Sequence, residues 1–229
     1  MSQLTKLQHF VPRFYLKHWC DSKGAFRCHD LNERRDFPAN PDGVLAQKYF
    51  YEEDRAAPDN RVENILKTME GTLSITFKKL AAVGKAVSGD TNRQKAATTV
   101  KAGITVDDQK SIKDFAALQY MRVPGAIKQK SLELEPSDVS PEERRLGLNP
   151  GRFVENGYLY VKDCFSTLKL HIFLSPSREF ITSDWPCFDL KDSNDTPLLG
   201  EEIGRNPEVL CYLPLTPSGI PSFFYQRIQ

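Results

Sequence analysis

The residues able to do chemistry are few and lie far apart in the chain. His9, in the opening run "LQHFVPRFYLKHW", sets an imidazole inside an otherwise apolar and aromatic stretch. Imidazole is the side chain whose unperturbed pKa lies nearest neutrality, so His9 is the candidate general acid or base. The competing reading is a structural histidine bonded to a backbone carbonyl. Asp184, in "FITSDWP", is the best partner for it, because that run alternates as a strand does and delivers Ser183 and Asp184 at its end. Asp184 could equally cap the turn before Pro186.

Glu63 and Glu70 stand seven residues apart and so fall nearly one above the other on a helix face. Glu63 also completes a capping-box pattern with Asn60, which leaves Glu70 as the carboxylate free for a site. Gln119 and Arg122 continue a stripe that Ile112 and Phe115 begin. An inward guanidinium must find a carboxylate or a phosphate, because an unpaired buried charge costs several kcal/mol. Two arrangements meet that demand: an Arg–Glu tie, through Glu70 or Asp184, that joins helix to sheet, or a clamp on a phosphoryl or carboxyl group.

These residues together point to a hydrolase-like enzyme on a phosphate-containing substrate, a nucleic acid or nucleotide, of the nuclease or phosphodiesterase class. His9 is expected as acid/base, Glu70 and Asp184 to orient it or hold a divalent metal, and Gln119, Arg122 and Ser183 to bind the anion. No HxH, HxxxH or HExxH spacing supports the metal. Glycine-rich phosphate loop, GxSxG elbow and dinucleotide fingerprint are all missing, so the enzyme classes they announce are not indicated. The alternative is a non-catalytic binding or sensing module whose same residues form a structural network, in a bacterial defence or competition setting. Phe14, Tyr15, Trp19, Tyr49, Phe50 and Tyr51 could stack on bases, or form core. His18 is expected on a sheet face, His29 in an edge strand and His171 in a late hairpin.

Positioning these groups requires the following elements. A hairpin is expected across "CDSKG", its second strand at Ala25–Leu31, followed by a loop from Asn32 to Gly43 and a strand or aromatic lid at Tyr49–Tyr51. The first helix follows Asn60, with Val62, Ile65, Leu66, Met69, Leu73 and Leu80 inward and Gly71 as a kink or close-packing point. Val87–Gly103 reads as a linker. Thr105 caps a second helix that Pro124 ends. A charged, proline-interrupted excursion from Lys128 to Gly151 carries a short helix from Ser140 and Pro141. A third helix spans Arg152–Leu168, with a hairpin around Ser175–Arg178 and two short strands after it. Strands, then helices, then strands give the α+β class: one domain over residues 1–229, with N- and C-terminal strands in an antiparallel sheet and a helical middle packed on it.

Three signatures, "HFVPRFYLKHW", the pair "VENILKTME" and "LQYMRVP", and "FITSDWP" followed by "YLPLTP", together resemble the family catalogued as domain of unknown function 4238. The likeness runs in order from Leu7 to about Pro217. Trp185 stands where that family more usually has asparagine. The resemblance also implies a further helical stretch after "PLTP", so a shortened variant or a fragment is expected. It supplies positions and no reaction.

Composition agrees with this frame. A net charge of +1 and 40% hydrophobic residues fit a folded chain and give no global sign of a polyanion partner. Five widely spaced cysteines without a CxxC pair read as reduced thiols of a cytoplasmic protein. No stretch approaches the apolar length of a membrane span, so no membrane association is expected.

Overall fold

The computed structural model describes residues 4–87, 92–133, 137–138, 140–142, 148–173, 181–189, 210–215 and 222–227. The opening run makes a short strand, β1 (Leu7–His9), and Pro12 then starts the one-turn helix α1 (Arg13–Leu16), followed by a 3₁₀ turn over Lys17–Trp19. His18 therefore sits in a turn, half-buried beside the Phe77 ring, and not on a sheet face.

The expected hairpin across "CDSKG" does not form. The strand after it, β2 (Phe26–Asp30), pairs instead with β3 (Arg35–Ala39), inside the segment expected as loop. Pro38 hid this strand from the sequence reading. It is tolerated opposite Arg27 because each strand of a two-stranded ribbon is an edge, where a missing N–H can face solvent. His29 lies on this edge, as expected, bonded to Asp36. Next comes β4 (Ala46–Lys48), antiparallel to β1 with Ala46 opposite His9. Tyr49–Tyr51 is neither strand nor lid but a turn that buries Phe50 and Tyr51.

Helix α2 (Arg61–Val87) buries Val62, Leu66, Leu73, Phe77 and Leu80 along one face, while Ile65, expected inward, is exposed. Gly71 is no close-packing point: nothing lies within 4 Å of where its Cβ would stand. The expected linker contains α3 (Arg93–Gly103), capped by the Asn92 side chain on the Lys95 N–H, with Ala96, Val100 and Ile104 buried at four-residue spacing. Two of these three side chains are small or short, which muted the stripe.

Helix α4 (Val106–Met121) carries the expected Thr105 cap, elaborated into a capping box with Asp108, and Asp108 also pairs with Lys79 of α2. Pro124 ends α4 and opens α5 (Pro124–Glu133), since proline at a first helical position gives up an N–H that has no partner anyway. The first part of the expected solvated excursion, from Lys128, thus continues a helix that buries Ala126 and Ile127 ahead of it and Ser131 within it. The last helix, α6 (Pro150–Ser166), is capped by Asn149 and lays Gly157 against Met121 of α4, where a Cβ would come 2.7 Å from the Met121 methyl.

A four-stranded antiparallel sheet follows, in the order β5 (Leu168–Phe173), β8 (Ser222–Arg227), β7 (Leu210–Pro214), β6 (Phe188–Asp189). β5 pairs with β8, not with the run after it, and Ile181–Trp185 is not strand. The expected turn at Ser175–Arg178 lies outside the described residues. The class is α+β, with N-terminal and C-terminal strands in separate antiparallel sheets. The layers meet at Tyr15, whose hydroxyl donates to the Pro214 carbonyl at 2.6 Å and bonds Thr182 Oγ1 at 2.7 Å. Around it Phe14, Phe77 and Phe115 close into an aromatic core. Among the described residues no helix is long and apolar enough to cross a membrane.

Candidate active site

Gln8 and His9 alternate as strand residues must, and the two side chains enter different networks. Gln8 is fully buried; its amide donates to Glu52 Oε1 at 2.6 Å and accepts from the Tyr51 N–H at 2.7 Å. Glu52 Oε2 then accepts from the backbone N–H groups of Asp59 and Asn60. This network fixes the turn that carries Tyr51 and the entry to α2. It also displaces the expected capping box, because Asn60 sits at φ 58°, outside the extended region an N-cap occupies, and its side chain faces Gln8. The start of α2 is served by Asp59, which accepts from the Arg61 N–H at 2.8 Å.

Arg122, at the C-terminal end of α4, is 1% exposed and uses all three sides of its guanidinium. Nη1 donates to Glu70 Oε1 at 2.9 Å, Nε to the Tyr51 hydroxyl at 3.0 Å, and Nη2 to the His9 carbonyl. The Tyr51 hydroxyl in turn donates to the same carbonyl at 3.2 Å. Burial pushes this phenol up to about 12, so it keeps its proton and serves as donor and acceptor at once. Of the two arrangements open to Arg122, the geometry takes the Arg–Glu tie. The guanidinium holds β1 to α2, with each of its three nitrogens engaged inside the protein.

The His9 ring is half-buried, with Nε2 2.9 Å from the Pro41 carbonyl. A carbonyl can only accept, so Nε2 carries the proton and Nδ1 keeps its lone pair. Burial is the main reason its pKa falls below the ordinary histidine value. The Pro41 bond and Glu70 oppose the fall, while Arg13 and Arg122 deepen it. At neutral pH His9 is therefore an unprotonated imidazole whose Nδ1 has no partner among the described residues.

The structure brings His9, Glu70 and Arg122 together. Gln119, one turn back along α4, is fully buried, and neither end of its amide has a partner among the described residues. Ser183 is exposed and bonded within its own turn, to the Trp185 backbone, and Asp184 is exposed without a hydrogen bond or ion pair among the described residues. That segment is held by Thr182 on Tyr15 and by Trp185 against Gly125, and among the described residues no hydrogen bond or ion pair links it to His9. Among the described residues no three His, Cys, Asp or Glu side chains gather as metal ligands.

Two groups that sequence reasoning set aside or missed stand near this cluster. Glu63, released from capping, is half-buried with Arg122, Glu70, Lys67 and Arg13 around it. Arg13, bridged to Asp42 at 2.9 Å, is an exposed cation that acts on both His9 and Glu63. The seven-residue spacing of Glu63 and Glu70 was the signal for the first; nothing in the sequence marked the second.

An N-terminal strand histidine, tied through a buried arginine to a helix carboxylate in an α+β frame, is the kind of centre that fold and site define. The chain belongs to the family described as protein of unknown function (DUF4238), whose sequence model matches residues 7–220. No curated protein and no solved structure matches it.

Proposed function

We propose that the protein is a hydrolase-like enzyme acting on a phosphate-containing substrate, a nucleic acid or nucleotide, with His9 as its general base. The observation that carries this reading is the state of the ring. One nitrogen is spent on a backbone carbonyl, the other has no partner among the described residues, and burial keeps the imidazole neutral. A base held this way can take a proton from water as the water oxygen attacks phosphorus. Arg122 and Tyr51 act as positioning residues, since both grip the His9 carbonyl. With Arg122 sealed, attraction of the anion falls to Arg13 and Lys67, the cations beside the cluster. All five cysteines are free thiols, which suits a reducing compartment such as the cytoplasm.

A second reading, a non-catalytic binding module, is favoured by the internal engagement of all three Arg122 nitrogens. One experiment separates them. Purified protein is incubated with RNA, single- and double-stranded DNA and nucleotides, with and without divalent metal, beside His9→Ala. The enzyme reading expects phosphoester hydrolysis that falls about 10²–10⁴-fold in the variant. Full hydrolysis by His9→Ala would overturn it, and binding without turnover would favour the module.

A further inference from the structure

We propose that Glu63 is the general acid of this site, and that it suits the enzyme to phosphodiesters whose leaving group is an alkoxide; the proposal rests on the reading of His9 as base. Glu63 lies on the face of α2 that also carries Glu70, one helix packed beside β1 and the end of α4. Its expected duty at the helix start is taken by Asp59 and Glu52. Unlike Glu70, which Arg122 locks, half-buried Glu63 makes no hydrogen bond or ion pair among the described residues. The groups facing it are Arg122 from α4, Arg13 from α1, Lys67 and Glu70 from its own helix, and Tyr51 from the turn after β4. Three of these, Arg13, Glu70 and Arg122, also act on His9, so base and carboxyl share charged neighbours, and Arg122 bonds both Glu70 and the His9 carbonyl.

Burial holds the Glu63 proton to higher pH than an ordinary glutamate keeps it, with Glu70 adding to this and Arg122, Lys67 and Arg13 opposing it. In the step assigned here, a P–O bond forms to the water oxygen while a water proton passes to His9 Nδ1. The P–O bond to the leaving oxygen breaks, and that oxygen takes the proton of Glu63. Water is thereby added across one ester bond, and a proton passes back from His9 to Glu63 through solvent. An alkoxide is a strong base and needs this proton to leave; a nitrophenolate does not.

The test compares wild type, Glu63→Gln and His9→Ala on bis(4-nitrophenyl) phosphate and on a single-stranded oligonucleotide, RNA and DNA in parallel. Glu63→Gln is expected to lose about 100-fold or more on the oligonucleotide and to stay near the wild-type rate on the aryl ester, while His9→Ala loses both. The melting temperature of Glu63→Gln at neutral pH should not fall below that of wild type, because Glu63 makes no bond among the described residues and its charged form costs stability there. An equal loss on both substrates, or none, overturns the acid role. If His9→Ala keeps both activities while Glu63→Gln shows the selective loss, the base assignment falls and the acid stands. A wild type that cleaves neither substrate overturns both.

Discussion

With one side of its guanidinium on Glu70, another on Tyr51 and the third on the His9 carbonyl, Arg122 couples three elements through a single side chain. Removing one partner of a buried pair leaves the other uncompensated. Arg122→Met is therefore expected to cost about 3–5 kcal/mol in urea unfolding, whereas a loss under about 1 kcal/mol would show that the pair is solvated and worth no more than a surface one. Gln119 presents the opposite case. Each unpaired buried amide atom costs about 1–3 kcal/mol, so Gln119→Met, which keeps the shape and removes both, should raise the melting temperature; a clear drop would mean that the amide has a partner. At this scale the sequence was half legible. The inward turn of Gln119 and Arg122 followed from their spacing with Phe115, but which groups Arg122 would meet depended on β1, α2 and the Tyr51 turn closing on one point, and no local pattern encodes that.

Elements were legible where apolar stripes were strong. Helix α2 stood out through its periodic apolar side chains and α4 through its Thr105 cap and stripe, and α6 was expected over Arg152–Leu168 without a cap being marked. Helix α3 was lost because alanine and valine make a faint stripe, and β3 because proline masks an edge strand. Asn60 was a misleading cap: the four-residue pattern was present, yet the left-handed backbone at Asn60 withdrew the side chain and freed Glu63. Two glycines test the element packing in opposite directions. Gly71→Ala, in open space on α2, should stabilise by about 1 kcal/mol. Gly151→Ala would drive a Cβ to 2.1 Å from the Tyr51 carbonyl oxygen. Backbone cannot swing aside, so it should cost at least about 1–3 kcal/mol and lower any His9-dependent activity with it; equal melting temperatures for the two variants would contradict the packing of α6 on the Tyr51 turn.

For the molecule as a whole, the α+β class could be read from the order of strands, helices and strands, but strand pairing could not. β5 finds its partner β8 across more than forty intervening residues, and no turn signal marks that. Tyr15 joins the N-terminal helix to the C-terminal sheet through Pro214 and to the Ile181–Trp185 segment through Thr182, so Tyr15→Phe should cost about 1–3 kcal/mol as a cooperative loss. Stability should also depend on pH through the site. His9 binds its proton less readily folded than unfolded, so its contribution is full above the ordinary value of 6.5 and is lost as pH falls through the lower folded value. Glu63 acts in reverse: its folded carboxyl holds a proton more readily, and it stabilises the fold below the ordinary value of 4.5, losing that contribution as pH rises through the folded one. Between the two ordinary values, His9→Gln should therefore flatten the decline of stability with acid and Glu63→Gln should steepen it.

The most direct test of the central claim, a neutral His9 with a free Nδ1, needs no substrate. Nitrogen-15 spectra of the ring, followed through a pH titration, report which nitrogen carries hydrogen and where the ring protonates. The account predicts an Nε2–H tautomer that titrates below 6.5. An Nδ1–H tautomer, or a ring that titrates above that value, would contradict it.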